Sequence, residues 1–132
     1  MGKQVVMAKL MVKLDVGADA DEREVDQATR TLRAELLRVD IESADIVRAG
    51  AAPQGTKGLG IETLGALAVK LVPAALKSAI QAIQAWVARD AGRSAKLVVD
   101  GESIEVSSVT SLQQQQLIDA WIVTVSRKLD AR

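Results

Sequence analysis

The feature that most constrains the fold is a strict alternation of side chains near the N-terminus. Every second residue from Val6 to Val16 is apolar, and the residues between them are Met, Lys and Asp. A period of two is typical of a β-strand that buries one face only. The chain must therefore build a sheet and cover the even-numbered side of this strand.

The next segment has the spacing of an amphipathic helix, and Asp19 or Asp21 can cap its start. Acidic residues crowd the beginning of this segment and Arg residues its end, which complements the helix dipole. A short strand is expected around residues 43–48. The apolar face of the helix is formed by Val25, Ala28, Leu32, Leu36 and Val39.

A long apolar region from Ile61 to Arg89 predicts a second helix that is interrupted by Pro73. A straight helix of that length would measure roughly 43 Å. A compact domain of this size has a radius of gyration of about 14 Å. We therefore expect the helix to kink or split at Pro73, and either to fold back or to cover another surface.

Two local patterns define the C-terminal part. Asp100-Gly101 lies between alternating runs and predicts a β-hairpin. Ser111 and Gln114 form a capping-box pattern at the start of a last helix. The apolar face of that helix is predicted to contain Leu117, Ile118, Trp121, Ile122, Val125 and Leu129.

These elements predict a single α+β domain over residues 1–132. Its expected order is strand, helix, strand, long Pro-broken helix, two hairpin strands, helix. A four-stranded sheet with helices packed on it satisfies this order.

The composition excludes several classes of function. The chain has no His or Cys, so it cannot build the common zinc sites or a Ser-His-Asp or Cys-His catalytic site. Lys plus Arg and Asp plus Glu both number 17, which argues against nucleic-acid binding. We expect a non-enzymatic protein without a cofactor or metal. The lack of Cys and the poor match to a signal peptide favour the cytoplasm.

The segment "GAAPQGTKG" resembles a phosphate-binding loop with its last two residues exchanged. Gly50 and Gly55 have the required spacing, but Thr56 precedes Lys57. A connector shaped by glycines and stiffened by Pro53 is the preferred interpretation. It would present Lys57, next to Gly58, to a partner; a nucleotide-binding regulator is the alternative.

The apolar run around Leu71, Pro73 and Leu76 is much shorter than the roughly 20 residues of a membrane-spanning helix. It is compatible with a core helix, with an interfacial helix on a membrane, or with a surface that binds a partner or another copy.

Near its end, Trp86, Arg89 and Arg93 combine residue types that are favoured in binding hot spots. A core Trp beside a solvated helix end explains them equally well.

Four segments together resemble the effector-associated constant component family of bacterial conflict systems. They are "RAGAAPQGTKG", "LGALAVKLVPAAL", "WVARDAGRSAKLVVDGESIEV" and "QQQQLIDAW". The resemblance covers about residues 10–129, and the family's recurring positions include Ala49, Gly50 and the Gly92-Arg93 pair.

The resemblance implies a small α+β module that occurs alone or joined to effectors such as caspase-like or trypsin-like peptidases. In these NTP-dependent defence systems its implied role is that of an adaptor, and it supplies no catalytic residues. The expected partners are a protein effector or other copies of the chain, since neutral charge and a long apolar helix favour self-association. A peripheral membrane module is the alternative.

Overall fold

A computed structural model describes residues 7–17, 19–47 and 64–130 of the chain. Within these ranges the secondary structure consists of five strands, three α-helices and one 3₁₀ turn. The elements are β1 (Ala8–Asp15), α1 (Glu22–Leu36), β2 (Ser43–Val47), β3 (Leu64–Leu71), a 3₁₀ turn (Pro73–Ala75), α2 (Leu76–Ala88), β4 (Ser94–Val99), β5 (Glu102–Ser107) and α3 (Leu112–Asp130).

The strands of the described residues form one five-stranded sheet with the order β2-β3-β1-β4-β5. Every neighbouring pair is antiparallel. Helices α1 and α2 each connect two strands that are separated by a third, as in ferredoxin-like folds. The predicted α+β class is confirmed. The predicted count of four strands is wrong, because the helix predicted over residues 61–89 includes the residues that form β3.

The core lies between one face of the sheet and the three helices of the described ranges. The even-numbered residues of β1 are buried there, as the alternation predicted. They pack with the odd-numbered residues of β3 and β4 and with the apolar faces of the helices in one cluster. The largest fully buried side chains include Leu10, Leu14, Leu32, Leu36, Leu67, Leu71, Leu76, Ile80, Ile83, Trp86 and Leu97.

The predicted helix over residues 61–89 is wrong in its first half. Residues 64–71 form β3, which lies between β2 and β1. Leu67, Val69 and Leu71 are buried, while Ala66 and Ala68 on the opposite face are half-buried. Because small apolar residues occupy that second face, the period of two is hidden in the sequence.

Pro73 neither kinks nor splits a helix, since it begins the 3₁₀ turn that leads into α2. The first turn of a helix tolerates proline because its backbone nitrogen has no intrahelical acceptor there. A helix that extends on both sides of Pro73 is therefore not formed. None of the helices in the described part of the chain is long and apolar enough to cross a membrane.

The predictions made from local patterns are confirmed. Asp21 and Glu24 form a reciprocal capping box at the start of α1, and Asp21 rather than Asp19 is the cap. Gln114 N donates to Ser111 Oγ at 3.1 Å, and Ser111 N donates to Gln114 Oε1 at 2.9 Å. Asp100 and Gly101 have φ values of 54° and 85°, as a tight two-residue hairpin requires.

Candidate functional site: the open face of the sheet

The face of the sheet opposite the helices is open to solvent in the described residues. Four lysines on the three central strands are exposed there: Lys9 and Lys13 on β1, Lys70 on β3, and Lys96 on β4. Between them lie the half-buried side chains of Met11, Ala66, Ala68 and Val98. We refer to this surface as the open face.

The strand register places an apolar row across the middle of the open face. Met11 lies opposite Ala68 on β3 and opposite Val98 on β4. The row ends at Asp45 on β2 and at Ser103 on β5. Its three central residues therefore form a continuous apolar strip across β3, β1 and β4.

The lysines on either side of this row face each other directly. Lys13 lies opposite Lys96, and Lys9 lies opposite Lys70. Like charges at directly opposite positions destabilise a sheet. Among the residues that the structure describes, none of these lysines forms an ion pair. The open face therefore carries two pairs of opposed positive charges, and Glu105 on β5 lies opposite Lys96 in one of them.

Carboxylates are placed at the border of the open face. Asp45 is on the edge strand β2, and Glu105, on the edge strand β5, lies opposite Lys96. Asp15 is at the end of β1, where its Oδ1 accepts a hydrogen bond of 2.9 Å from Gly17 N. The middle of the face is thus positive and its border carries negative charge.

The open face offers positive charge and apolar contact to another molecule. Across the described ranges, no group of three or more His, Cys, Asp or Glu residues could hold a metal ion.

The structure places several predicted site residues in the core. Leu71, Leu76 and Trp86 are completely buried, and they cannot contact a partner in the folded chain. Pro73 is half-buried in the 3₁₀ turn. The apolar segment that was expected to form an assembly surface is therefore largely internal.

The two arginines near Trp86 contact other residues of the same chain. Arg89 is exposed and pairs with Glu35 on α1. The Arg93 guanidinium lies 4.1 Å from the centre of the Trp86 ring, and its Nη1 donates to the Trp86 carbonyl oxygen at 2.9 Å. Between the two interpretations of this cluster, the structure supports a core Trp with a helix end packed over it.

The predicted contact loop lies outside the described residues. Pro53, Gly55, Lys57 and Gly58 all belong to the segment between β2 and β3 for which no structure is given. Their role in partner binding and the alternative of nucleotide binding both stay predictions.

A second exposed surface lies on the outer side of α3. Ile118, Ile122, Val125 and Leu129 are buried, as predicted. Leu117 was assigned to the same face but is 65% exposed, and Val123 is 50% exposed. Leu112 and Ala120 are exposed on this side as well. We call Leu112, Leu117, Ala120 and Val123 the outer face of α3.

A polar groove separates α2 from the start of α3. It is lined by neutral side chains, among them Gln81, Gln84, Ser108, Thr110 and Gln115. Gln84 Nε2 donates to Gln115 Oε1 at 3.0 Å across it. Gln115 Nε2 in turn donates to Asp119 Oδ1 at 3.0 Å, so these side chains connect α2 to α3.

Comparison with known proteins gave no match. No family model matches the chain, and no curated protein or solved structure is significantly similar to it. The function must therefore be argued from the surfaces of the chain itself.

Proposed function

We propose that this chain is a non-catalytic protein-interaction module of the bacterial cytoplasm. In this proposal it acts as an adaptor in an NTP-dependent conflict system, where it links or clusters effectors such as caspase-like or trypsin-like peptidases. The resemblance of its four sequence segments to effector-associated constant components suggests the biological setting. The open face suggests how the adaptor would bind.

The observation that carries the proposal is the half-exposed apolar row Ala68–Met11–Val98 in the middle of a sheet. The backbone of a central strand is held by hydrogen bonds on both sides, so the positions from which its side chains project are fixed. A fixed backbone loses little conformational entropy when a partner binds. Apolar side chains at the centre of such a surface, with polar side chains around them, resemble the organisation of protein–protein interfaces.

The proposal is tested by co-purification with a peptidase effector encoded beside this chain in its genome. Ala68→Arg places a bulky charge in the apolar row. Ala34→Arg makes the same change at an exposed position on α1 and serves as the matched control. We expect the wild type and Ala34→Arg to retain the effector and Ala68→Arg to lose it, while thermal unfolding shows that both variants are folded.

The outcomes separate the parts of the proposal. Failure of the wild-type chain to retain any such effector would contradict the adaptor function. Equal retention by all three proteins would show that the adaptor binds through another surface.

Self-association is a second part of the proposed function, and the outer face of α3 supports it. Its exposed apolar side chains are separated by the uncharged Gln113, Gln116 and Thr124. Asp119 and Arg127, four residues before and after Val123, are exposed charges beside this face, and a symmetric dimer must keep like charges of the two copies apart. The segment around Pro73 does not offer such a surface, because Leu71, Leu76 and Trp86 are buried.

A further inference from the structure

We propose that the open face binds an acidic amphipathic helix of the partner protein. The apolar residues of this helix would cover the Ala68–Met11–Val98 row, and carboxylates on both sides of its apolar stripe would pair with the lysines. The inference rests on the proposed adaptor function and specifies the chemistry of its partner.

The first argument is the charge of the open face. Lys13 opposite Lys96 and Lys9 opposite Lys70 repel each other across neighbouring strands. A partner carboxylate between the members of each pair replaces this repulsion with two attractions. Such complementarity favours association and excludes basic partners.

The second argument is the spacing of the lysines. Lys9 and Lys13 are four residues apart on β1, which places the two lysine rows about 13 Å apart. A helix with its side chains is about 10–12 Å wide. A helix that lies along the apolar row therefore fits between the two rows, with its flanks next to the lysine side chains.

The third argument is the length of the apolar row. From β3 across β1 to β4 the row spans two strand spacings, or about 10 Å. That length corresponds to roughly seven residues of an α-helix, or two turns. A partner helix of two to four turns can therefore place Leu or similar residues on the whole row.

The border of the open face argues against nucleic acid as the partner. Asp45 and Glu105 would repel a phosphate backbone that continued beyond the lysines. The open face has no aromatic residue on which a base could stack. An acidic helix avoids the first problem when its carboxylates lie only over the central strands, and it does not need an aromatic residue to stack on.

The experiment measures binding of a fluorescein-labelled helical peptide of about 14 residues by fluorescence anisotropy. The peptide carries a Leu stripe with Glu on both flanks, and a matched peptide carries Gln in place of Glu. The protein is used as wild type and as the double variant Lys13→Gln/Lys96→Gln. The control Lys77→Gln/Arg38→Gln removes two exposed charges outside the open face.

We expect the wild type and the control to bind the Glu peptide. The Gln peptide and the Lys13→Gln/Lys96→Gln variant should each weaken binding about tenfold or more. Raising the salt concentration from about 0.05 M to about 0.5 M should weaken binding of the Glu peptide as well, because exposed charges are screened.

Equal affinity for the Glu and Gln peptides would overturn the inference. A lack of binding of the Glu peptide at protein concentrations up to about 1 mM would overturn it as well. Tighter binding of a single-stranded RNA, or of vesicles of phosphatidylserine and phosphatidylcholine, would assign the lysines to a different class of partner and overturn it too.

The adaptor function and the acidic partner can be distinguished with the effector. If Ala68→Arg loses the effector but Lys13→Gln/Lys96→Gln retains it fully, the adaptor proposal stands and the acidic helix is wrong. If both variants lose the effector, both proposals are supported.

Discussion

Arg93 lies across the indole ring of Trp86 and also donates a hydrogen bond to the backbone carbonyl of the same residue. One side chain thereby holds the end of α2 against the start of β4, because Trp86 is in the last turns of α2 and Arg93 directly precedes β4. These two residues, predicted as candidates for a binding site, act together inside the fold.

Replacing Trp86 tests its place in the core. Trp86→Ala should lower the free energy of unfolding by about 3–5 kcal/mol, since it empties a large buried volume. Trp86→Phe should cost clearly less, because it keeps an aromatic ring and removes an indole N–H that has no acceptor among the described residues. Urea unfolding followed by circular dichroism measures both changes. A loss below about 1 kcal/mol for Trp86→Ala would contradict its burial.

Arg93→Ala should destabilise the protein by about 1–2 kcal/mol, since it removes the cation–π contact and the hydrogen bond together. Arg93→Lys keeps a cation near the ring and should fall between Arg93→Ala and the wild type. Arg38→Ala, at an exposed position, is the control and should stay within about 0.5 kcal/mol of the wild type. Equal stability of Arg38→Ala and Arg93→Ala would argue against the packing over Trp86.

Gly65 is required by the contact between β3 and α1. A Cβ atom there would overlap the Thr29 hydroxyl oxygen and lie 3.2 Å from Val25 Cγ1. Gly65→Ala should therefore cost about 1–3 kcal/mol through overpacking. The double variant Gly65→Ala/Thr29→Ala should be more stable than the sum of the single changes predicts, since the missing hydroxyl makes room. Strict additivity in this double-mutant cycle would show that the two residues do not interact.

Pro73→Ala distinguishes the observed 3₁₀ turn from a kinked helix. At the first position of a turn, proline fixes a backbone angle that the chain uses, so its loss should cost about 0.4–1 kcal/mol. In the interior of a continuous helix the same change would restore a hydrogen bond and increase stability. Thermal unfolding measures the sign of the effect, and a clear stabilisation would contradict the observed start of α2.

The double variant Leu117→Glu/Val123→Glu tests self-association through the outer face of α3. Light scattering coupled to size exclusion should give the wild type a mass above that of the monomer that rises with concentration. The variant should remain a monomer, because two copies of the face would then carry opposed carboxylates. Thr31→Glu/Ala34→Glu places the same charges on exposed positions of α1 and should leave the mass unchanged. A monomeric wild type would refute self-association.

The parts of the fold that can be predicted from sequence alone depend on residues that are close together in the chain. The alternation of β1, the acidic cap of α1, the Ser111–Gln114 capping box and the Asp100-Gly101 turn are each determined by side chains a few positions apart. These patterns retain their meaning wherever the segment lies in the molecule.

The parts that sequence analysis missed depend on which strands are neighbours in the sheet. Leu67 and Leu71 satisfy a helical spacing and a strand spacing equally well. Only the position of β3 between β2 and β1 decides between them. With β3 assigned to a helix, Lys70 could not be placed beside Lys9, and the open face could not be recognised. The alternation of Lys9 and Lys13 was visible in the sequence and was the one signal for this surface.

The central position of β1 has a consequence for how the chain is made. Leu10 pairs with Val69 on one side and with Val99 on the other, so β1 obtains its second neighbour only when β4 has been synthesised. Contacts between such distant residues form slowly, and an unpaired strand edge attracts strands of other copies. Lys9 and Lys13 interrupt the apolar character of β1. They oppose pairing with strands of other copies until β3 and β4 have been synthesised. We therefore expect the same two lysines to reduce aggregation of the nascent chain before the sheet has formed.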